Sequence, residues 1–243
     1  MRVGLVGYGK MGRAIETCAQ NQNVEITVRV DPHADEAQFQ NLSSASLVDA
    51  DVYIEFTQPS VVMENIRILA EEGKSMVIGT SGWYDHTQEV QEILKQNGVG
   101  AVYAHNYSIG MNIYLKVLER AANIFNQFPE YDVGAVEYHH KQKLDSPSGT
   151  AVGMAEVLLK EIDRKDKVVY DRVDRRIEDD ELHFASVRCG SIPGTHQVHF
   201  DSGFDTITLT HEARNREGWA KGALFAAQWI QGKSGLFHFS ELF

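Results

Sequence analysis

Arg2 to Val6 is a short apolar run that ends in Gly7-Tyr8-Gly9-Lys10-Met11-Gly12, and no other stretch limits the fold so tightly. Glycines at this spacing suit a strand that turns sharply into a helix. Gly7 makes the turn, Gly9 lets a neighbour approach the backbone, and Gly12 lets helix and strand pack closely. Met11 to Gln20 then reads as a helix and Val24 to Val30 as a second strand, ended by Asp31, 19 residues beyond Gly12. In that arrangement the helix N-terminus receives a pyrophosphate and the acid accepts from ribose hydroxyls. Tyr8, Lys10 and Met11 are therefore counted with the glycines and Asp31 as cofactor-binding. An acid at this place disfavours a 2′-phosphate, and Pro32 and His33 offer no arginine to bind one. NADH is expected to serve at least as well as NADPH, with Arg29, on the same strand face as Asp31, the residue that could reverse this.

The unit repeats. Asp51 to Phe56 is strand-like, and Thr57-Gln58-Pro59-Ser60 starts a helix whose apolar stripe (Val61, Val62, Ile66, Leu69, Ala70) runs to Gly73. Lys74 to Ile78, Thr87 to Asn97 and Val99 to Ala104 continue as strand, helix and strand, whereas Ala34 to Ala50 is polar and weakly patterned. Alternation at this spacing predicts a Rossmann-type α/β domain, a doubly wound parallel sheet with ligands beyond the carboxyl ends of its strands. Phe56 and Thr57, Gly79, Thr80 and Ser81, and Ala104, His105, Asn106 and Tyr107 follow such ends and are expected around the nicotinamide.

The pattern changes after a hinge expected at 106–112 and a helix from Ile113 to Phe125. Val133 to Tyr138 is a strand, Gly149 to Lys160 a helix, and the charged run 163–181 a mobile surface loop. Three strand-like runs follow at 183–189, 196–200 and 206–213, with Ser202-Gly203 as a hairpin turn. They predict a smaller α+β domain with an open, largely antiparallel or mixed sheet. The last helix, Glu217 to Gln231, carries Trp219, Leu224, Phe225, Trp229 and Ile230, too apolar for a free tail, and is expected to return to the first domain. The expected division is 1–105 with 215–243 for the dinucleotide, and 106–214 for substrate binding and oligomerisation.

The 243 residues carry a net charge of −11 without a basic cluster, which argues against nucleic acid and anionic membranes as partners. Cys18 and Cys189 stand far apart in no metal-type spacing, so neither a disulfide framework nor a metal site is expected. A cytoplasmic protein that starts at its first domain is expected, with no membrane-spanning segment.

The candidate chemistry lies in Glu137-Tyr-His-His-Lys-Gln-Lys-Leu-Asp-Ser-Pro-Ser-Gly-Thr-Ala151. Two histidines and two lysines precede a helix start, where unpaired N–H groups and the dipole attract an anion. Neighbours on a strand point to opposite faces, so His139 and His140 cannot both enter one pocket. One is the chemist and the other a support.

These residues resemble the bacterial 4-hydroxy-tetrahydrodipicolinate reductase family, also called dihydrodipicolinate reductase. The likeness covers nearly the whole chain. It rests on the glycine turn, on Glu137-Tyr138-His139-His140 with Lys143, Asp145 and Pro147 to Ala151, on Arg188 to Phe200, and on the ending from His211 through Arg216 to Gly222-Ala223. Ser146 stands where the family usually has alanine, which touches no role. The resemblance implies hydride transfer from NADH or NADPH to a cyclic unsaturated dicarboxylate in lysine and diaminopimelate synthesis, and a homotetramer built through the second domain. It implies His139 and Lys143 as proton donors, leaving open which one delivers, and His140, Lys143, Ser148, Gly149 and Thr150 as substrate-binding. Two alternatives are another two-domain NAD(P)-dependent dehydrogenase and a non-catalytic dinucleotide sensor. A thioester-forming aldehyde dehydrogenase would need a reactive cysteine, and Cys18 and Cys189 both read as buried packing residues.

Overall fold

The computed structural model describes residues 1–47, 49–170 and 172–243. In chain order its elements are β1 (Arg2–Val6), α1 (Lys10–Ala19), β2 (Glu25–Val30), β3 (Val52–Glu55), α2 (Val62–Glu71), β4 (Ser75–Ile78), α3 (Thr87–Asn97), β5 (Gly100–Tyr103), α4 (Ile109–Phe125), β6 (Asp132–His139), α5 (Gly149–Glu161), β7 (Lys167–Val169), β8 (Glu181–Arg188), β9 (Thr195–Asp201), β10 (Thr206–Glu212), α6 (Glu217–Ile230) and β11 (Gly235–His238). They form two compact units, Met1–Ile109 with Arg216–Phe243, and Gly110–Asn215.

The first unit holds a six-stranded sheet in the order β11-β5-β4-β3-β1-β2, parallel throughout. A parallel sheet is covered on both faces, so its strands are apolar on both sides. Val3, Leu5, Val52 and Ile54 pack with Ile15 of α1 and with α6, while Val6, Tyr53 and Met76 pack with Ile66 of α2 and Leu94 of α3. The chain runs outward from β1 to β2 and returns to β3 on the other side of β1, which is the topological switch point of a Rossmann-type sheet. Gly7 makes the turn with φ +93°, and a Cβ there would lie 2.0 Å from the Phe56 carbonyl oxygen, so only glycine fits.

Helix α6 lies close to the segment that follows β5 because its facing side is small. A Cβ on Gly222 would meet the Tyr107 carbonyl oxygen at 1.8 Å. Beyond α6 comes β11, a strand not expected from the sequence. Four residues opened by Gly235 at φ +117° carry too short a pattern to announce a strand, and pairing with β5 makes it one. The weakly patterned connection 34–50 also has structure. Phe39 bridges Val30, its carbonyl accepts from the Asp31 amide at 2.9 Å, and Ser44–Ser46 is a short helical turn. Val48 lies outside the described residues.

The second unit has a five-stranded mixed sheet in the order β10-β9-β6-β8-β7, antiparallel on the β9–β10 side and parallel on the β8–β7 side. Val133, Ala135, Phe184, Val198 and Phe200 form one core with Leu118 of α4 and Leu158 of α5. Two expectations need correction. Helix α4 begins at Ile109, inside the expected hinge, because Met111, Asn112 and Tyr114 are buried on its inner face. The charged run 163–181 is not simply a mobile loop. It contributes the edge strand β7, and Lys165, only 3% exposed, donates to the carbonyls of Asp179 (2.9 Å) and Glu181 (2.8 Å) and pairs with Asp132 (2.7 Å). A buried ammonium persists where acceptors replace its water. Asp171 of that run lies outside the described residues. Among the described residues no helix is long and apolar enough to cross a membrane.

Two glycine substitutions test this packing in opposite directions. Gly222→Ala should destabilise by about 3 kcal/mol or more, since the methyl must displace backbone. Gly153→Ala, inside α5 with nothing within 4 Å of the added carbon, should gain up to about 1 kcal/mol from helix propensity. Urea unfolding followed by far-UV circular dichroism measures both.

Candidate active site

In the first unit the ends of β1, β2 and β3 surround a cavity of about 290 Å³ whose lining includes Gly7, Gly9, Asp31, Phe56 and Thr57. Gly9 caps α1 without a side chain, and a Cβ there would meet nothing within 4 Å. The helix N-terminus therefore opens onto free space, which suits a pyrophosphate. Asp31 accepts from the Tyr8 amide at 2.7 Å and from the His33 and Ala34 amides at 2.8 and 3.1 Å. Burial alone would raise its carboxyl, but these amides outweigh burial and hold it below the ordinary aspartate value. Gln40, Asn41 and Leu42 of the unpatterned connection also line the cavity. Sequence reading missed them because nothing local marks them; the Val30–Phe39 bridge brings them there.

Other residues singled out in this unit are placed differently. The Tyr8 hydroxyl donates to Glu16, and its buried ring lies under Arg13 and Arg29. Arg29 is held by Glu16 through both Nε and a terminal nitrogen, so it is not free to meet a phosphate. Lys10 is exposed, Met11 packs against the core, and Gly12 sits against the Gly7 carbonyl, where a Cβ would approach to 2.5 Å. Residues 79–81 and 104–107 do not line the cavity. Gly79 leaves room for the Phe56 ring, the Thr80 hydroxyl accepts from the Thr57 amide at 2.7 Å, and Ser81 is exposed. Ala104 is buried, the exposed His105 ring packs at a tilt against Tyr84 with ring centres 4.2 Å apart, and the Asn106 side chain accepts from the Ser108 amide. Tyr107 is 2% exposed, with its hydroxyl 2.9 Å from the carbonyls of Ile78 and Val102. Its ring belongs to the core.

In the second unit the 137–151 stretch is strand, loop and helix as read. The pleat places Glu137 and His139 on one face of β6, both buried, while His140 is half-buried beyond the strand end. Ser148 caps α5, its hydroxyl accepting from the Ala151 amide at 3.1 Å. That hydroxyl also donates to Glu137, and the Ser148 amide donates to Glu137 Oε1 at 3.0 Å. Ser186 donates to the same oxygen at 2.8 Å and Arg188 at 3.0 Å. Gly149 presents no side chain, and a Cβ would find nothing within 4 Å. Lys143 Nζ lies 2.8 Å from Asp145, so the loop ammonium already has a carboxylate partner.

Four donors on one buried carboxylate decide its charge. Burial would raise Glu137, but the hydrogen bonds and ion pairs around it hold it far below the usual carboxylate range. His139 goes the other way. Burial pushes its imidazole down to about 4 against the pull of Glu137, and His196, Lys143 and Arg188 add to the lowering. Its Nδ1 is 3.3 Å from Glu137 Oε2 without a formed hydrogen bond, and the His196 Nε2 is 3.5 Å from the same oxygen. Donor atoms of Glu137, His139 and His196 lie within 4.8 Å of one another. The carboxylate's existing donors and the adjacent Arg188 cation favour proton and anion chemistry at this cluster over metal ligation. Opposite Nε2 stands Gly194, where a Cβ would come within 3.0 Å of that nitrogen.

Glu137, Ser186, Arg188, Gly194 and His196 received no individual role from the sequence. Sheet register is the missing signal, since it sets Glu137 beside Ser186 and His196, and His139 beside Arg188. Cys189 corrects another expectation, because it is exposed; Cys18 is buried as read.

Comparison with known proteins agrees across the full length. Residues 1–107 match the family described as dihydrodipicolinate reductase, N-terminus, and residues 110–243 its C-terminus. A 4-hydroxy-tetrahydrodipicolinate reductase of Christiangramia forsetii is 33% identical over 242 residues, covering 100% of this chain and 97% of that protein. Among solved structures, a dipicolinate-bound dihydrodipicolinate reductase from Paenisporosarcina sp. TG-14 superposes with a TM-score of 0.79 at 24% identity, covering 100% of this chain and 99% of that one. An amine dehydrogenase from Mycobacterium smegmatis shares the fold at a TM-score of 0.65 and 11% identity, over 99% and 95% of the two chains. With both halves matched and a relative of this identity, the chain belongs to the dihydrodipicolinate reductase family of NAD(P)H-dependent oxidoreductases.

Proposed function

We propose that the chain reduces the cyclic dicarboxylate 4-hydroxy-tetrahydrodipicolinate, or dihydrodipicolinate, to tetrahydrodipicolinate with hydride from NADH or NADPH, in lysine and diaminopimelate synthesis. The observation that carries this reading is the second unit's pairing of an anion-ready helix start, Ser148-Gly149-Thr150, with a buried neutral imidazole and a loop ammonium in one motif. Backbone N–H groups and the α5 dipole bind a carboxylate in a protein whose overall charge repels it. His140 and Lys143 add cationic or hydrogen-bonding contacts. His139 and Lys143 are the candidate donors for the proton that must follow hydride addition to a conjugated imine. The family relative solved with dipicolinate, a planar analogue of such a ring, supports this choice of substrate.

The bound nicotinamide supplies the hydride. Gly7, Gly9 and the α1 N-terminus hold its pyrophosphate, and Asp31 accepts from its ribose. Asp31 has oxygen lone pairs left after its amide bonds, and Arg29 is occupied by Glu16. Both features support NADH serving at least as well as NADPH. The division of labour, residues 1–105 with 215–243 for the dinucleotide and 106–214 for the dicarboxylate, belongs to the same proposal. So does a cytoplasmic homotetramer. Gly134, Val136 and Tyr138 on the second face of β6 are only half-buried within their unit, as a sheet face that meets another copy would be.

Calorimetric titration with NADH, with and without pyridine-2,6-dicarboxylate, tests the reading directly. A reductase binds both together; a sensor binds NADH alone, and that result would end the proposal. His139→Gln and Lys143→Ala should each lose about a hundred- to ten-thousand-fold in kcat while still binding NADH. Asp31→Ala should lower kcat/KM for NADH about ten- to a hundredfold and affect NADPH less, so that the cofactor ratio shifts towards NADPH in steady-state kinetics.

A further inference from the structure

Glu137 is fully buried, with no surface of its own open to a ligand. Its two oxygens take the Ser148 amide and hydroxyl, the Ser186 hydroxyl and the Arg188 guanidinium, drawing on the start of α5 and the end of β8. Two residues on, along the same face of β6, stands His139. The strand therefore fixes the anion-binding helix start and the imidazole relative to each other through a single side chain. Burying a charge with this many donors is costly unless every one is satisfied, and a neutral isostere would be easier to bury. The charge itself must serve something.

We infer that Glu137 is a positioning residue of the reduction: it clamps Ser148 and Arg188 beside His139 and supplies the negative charge against which His139 takes its proton. This rests on the function proposed above. The groups that face the imidazole come from every packed element: Glu137 on β6, Arg188 on β8, His196 on β9 at a ring distance of 5.2 Å, with His211 of β10 behind it at 6.5 Å, and Lys143 with Asp145 from the loop. Lys143, Arg188 and His196 oppose protonation, and Glu137 favours it. A bound dicarboxylate adds charge of the favouring sign and so works against the burial that disfavours the imidazolium.

The sign of the pH effect follows. If protonated His139 is the donor, kcat falls as pH rises through its value in the complex, and removing the Glu137 charge lowers that value. Glu137→Gln should move the descending limb of kcat to lower pH by about one unit or more and weaken pyridine-2,6-dicarboxylate binding about tenfold or more. NADH affinity should not change. Glu137→Asp keeps the charge but shortens the reach, so the limb should return towards wild type while dicarboxylate affinity stays low. A limb and affinity equal to wild type in Glu137→Gln would overturn the inference alone. If that variant does not fold, wild-type dicarboxylate affinity in Glu137→Asp overturns it equally. A wild-type protein that binds no dicarboxylate overturns the functional reading and this inference with it.

Discussion

A strand that runs into a helix leaves the first backbone N–H groups of that helix without acceptors, and both halves of this chain are organised around that demand. At α1 the cap is Gly9, which has no side chain to offer, and free space lies before it. At α5 the cap is Ser148, whose hydroxyl satisfies Ala151 and whose amide is already bonded to Glu137. The first helix start is left for a ligand to complete. The second is anchored by protein, with Gly149 and Thr150 next in line. One backbone property thus yields two helix starts of different character, and in the proposed function the side chains around each determine which anion it suits.

Two buried glutamates at strand ends show which electrostatic effect wins where. Glu55 closes β3 and Glu137 lies near the end of β6, and neither is exposed. Glu55 Oε1 accepts from Thr57 and from Asn65 at 3.2 Å, but Oε2 has no hydrogen-bond partner among the described residues. With neutral donors on one side only, burial dominates and raises its carboxyl. Glu137 has neutral donors on both oxygens and an arginine 3.0 Å away, and there the donors win. Neither side chain meets solvent, but Glu55 is packed more deeply, so depth of burial and the partners together decide the charge. A net charge of −11 says nothing about either site, because the local field is set within a few ångströms of the carboxylate.

What could be read in the sequence was what local pattern encodes. The glycine turn, the strand and helix alternation through Tyr103, and the return of the apolar α6 follow from spacing and composition. What escaped depends on pairing at a distance. β7 and β11 are short strands whose pattern is too brief to recognise, and each exists because a neighbouring strand supplies its hydrogen bonds. The cavity-lining residues 40–42 sit in a polar connection held by one bridge to β2. Tyr107 looked like a ligand contact from its place after β5, but Gly222 and Phe239 pack beside it and make it core. At the candidate site the motif named His139 and Lys143, while Arg188 and His196 arrive only through register with β6.

The Lys143 and Asp145 pair bears on how such a site can both wait and bind. Lys143 is 23% exposed at its side chain and Asp145 is 56% exposed, so water screens their contact. Pairs of this kind contribute about 0 to 1 kcal/mol. In the proposed reaction an arriving carboxylate has little to displace, and the ammonium changes partner at small cost. The Glu137 cluster lies at the other extreme, because its bonds are shielded and losing one strands a buried charge. A rigid anchor beside a loosely held cation suits the proposed reaction: the geometry would be fixed where the ring is held, and exchange easy where its charge is met.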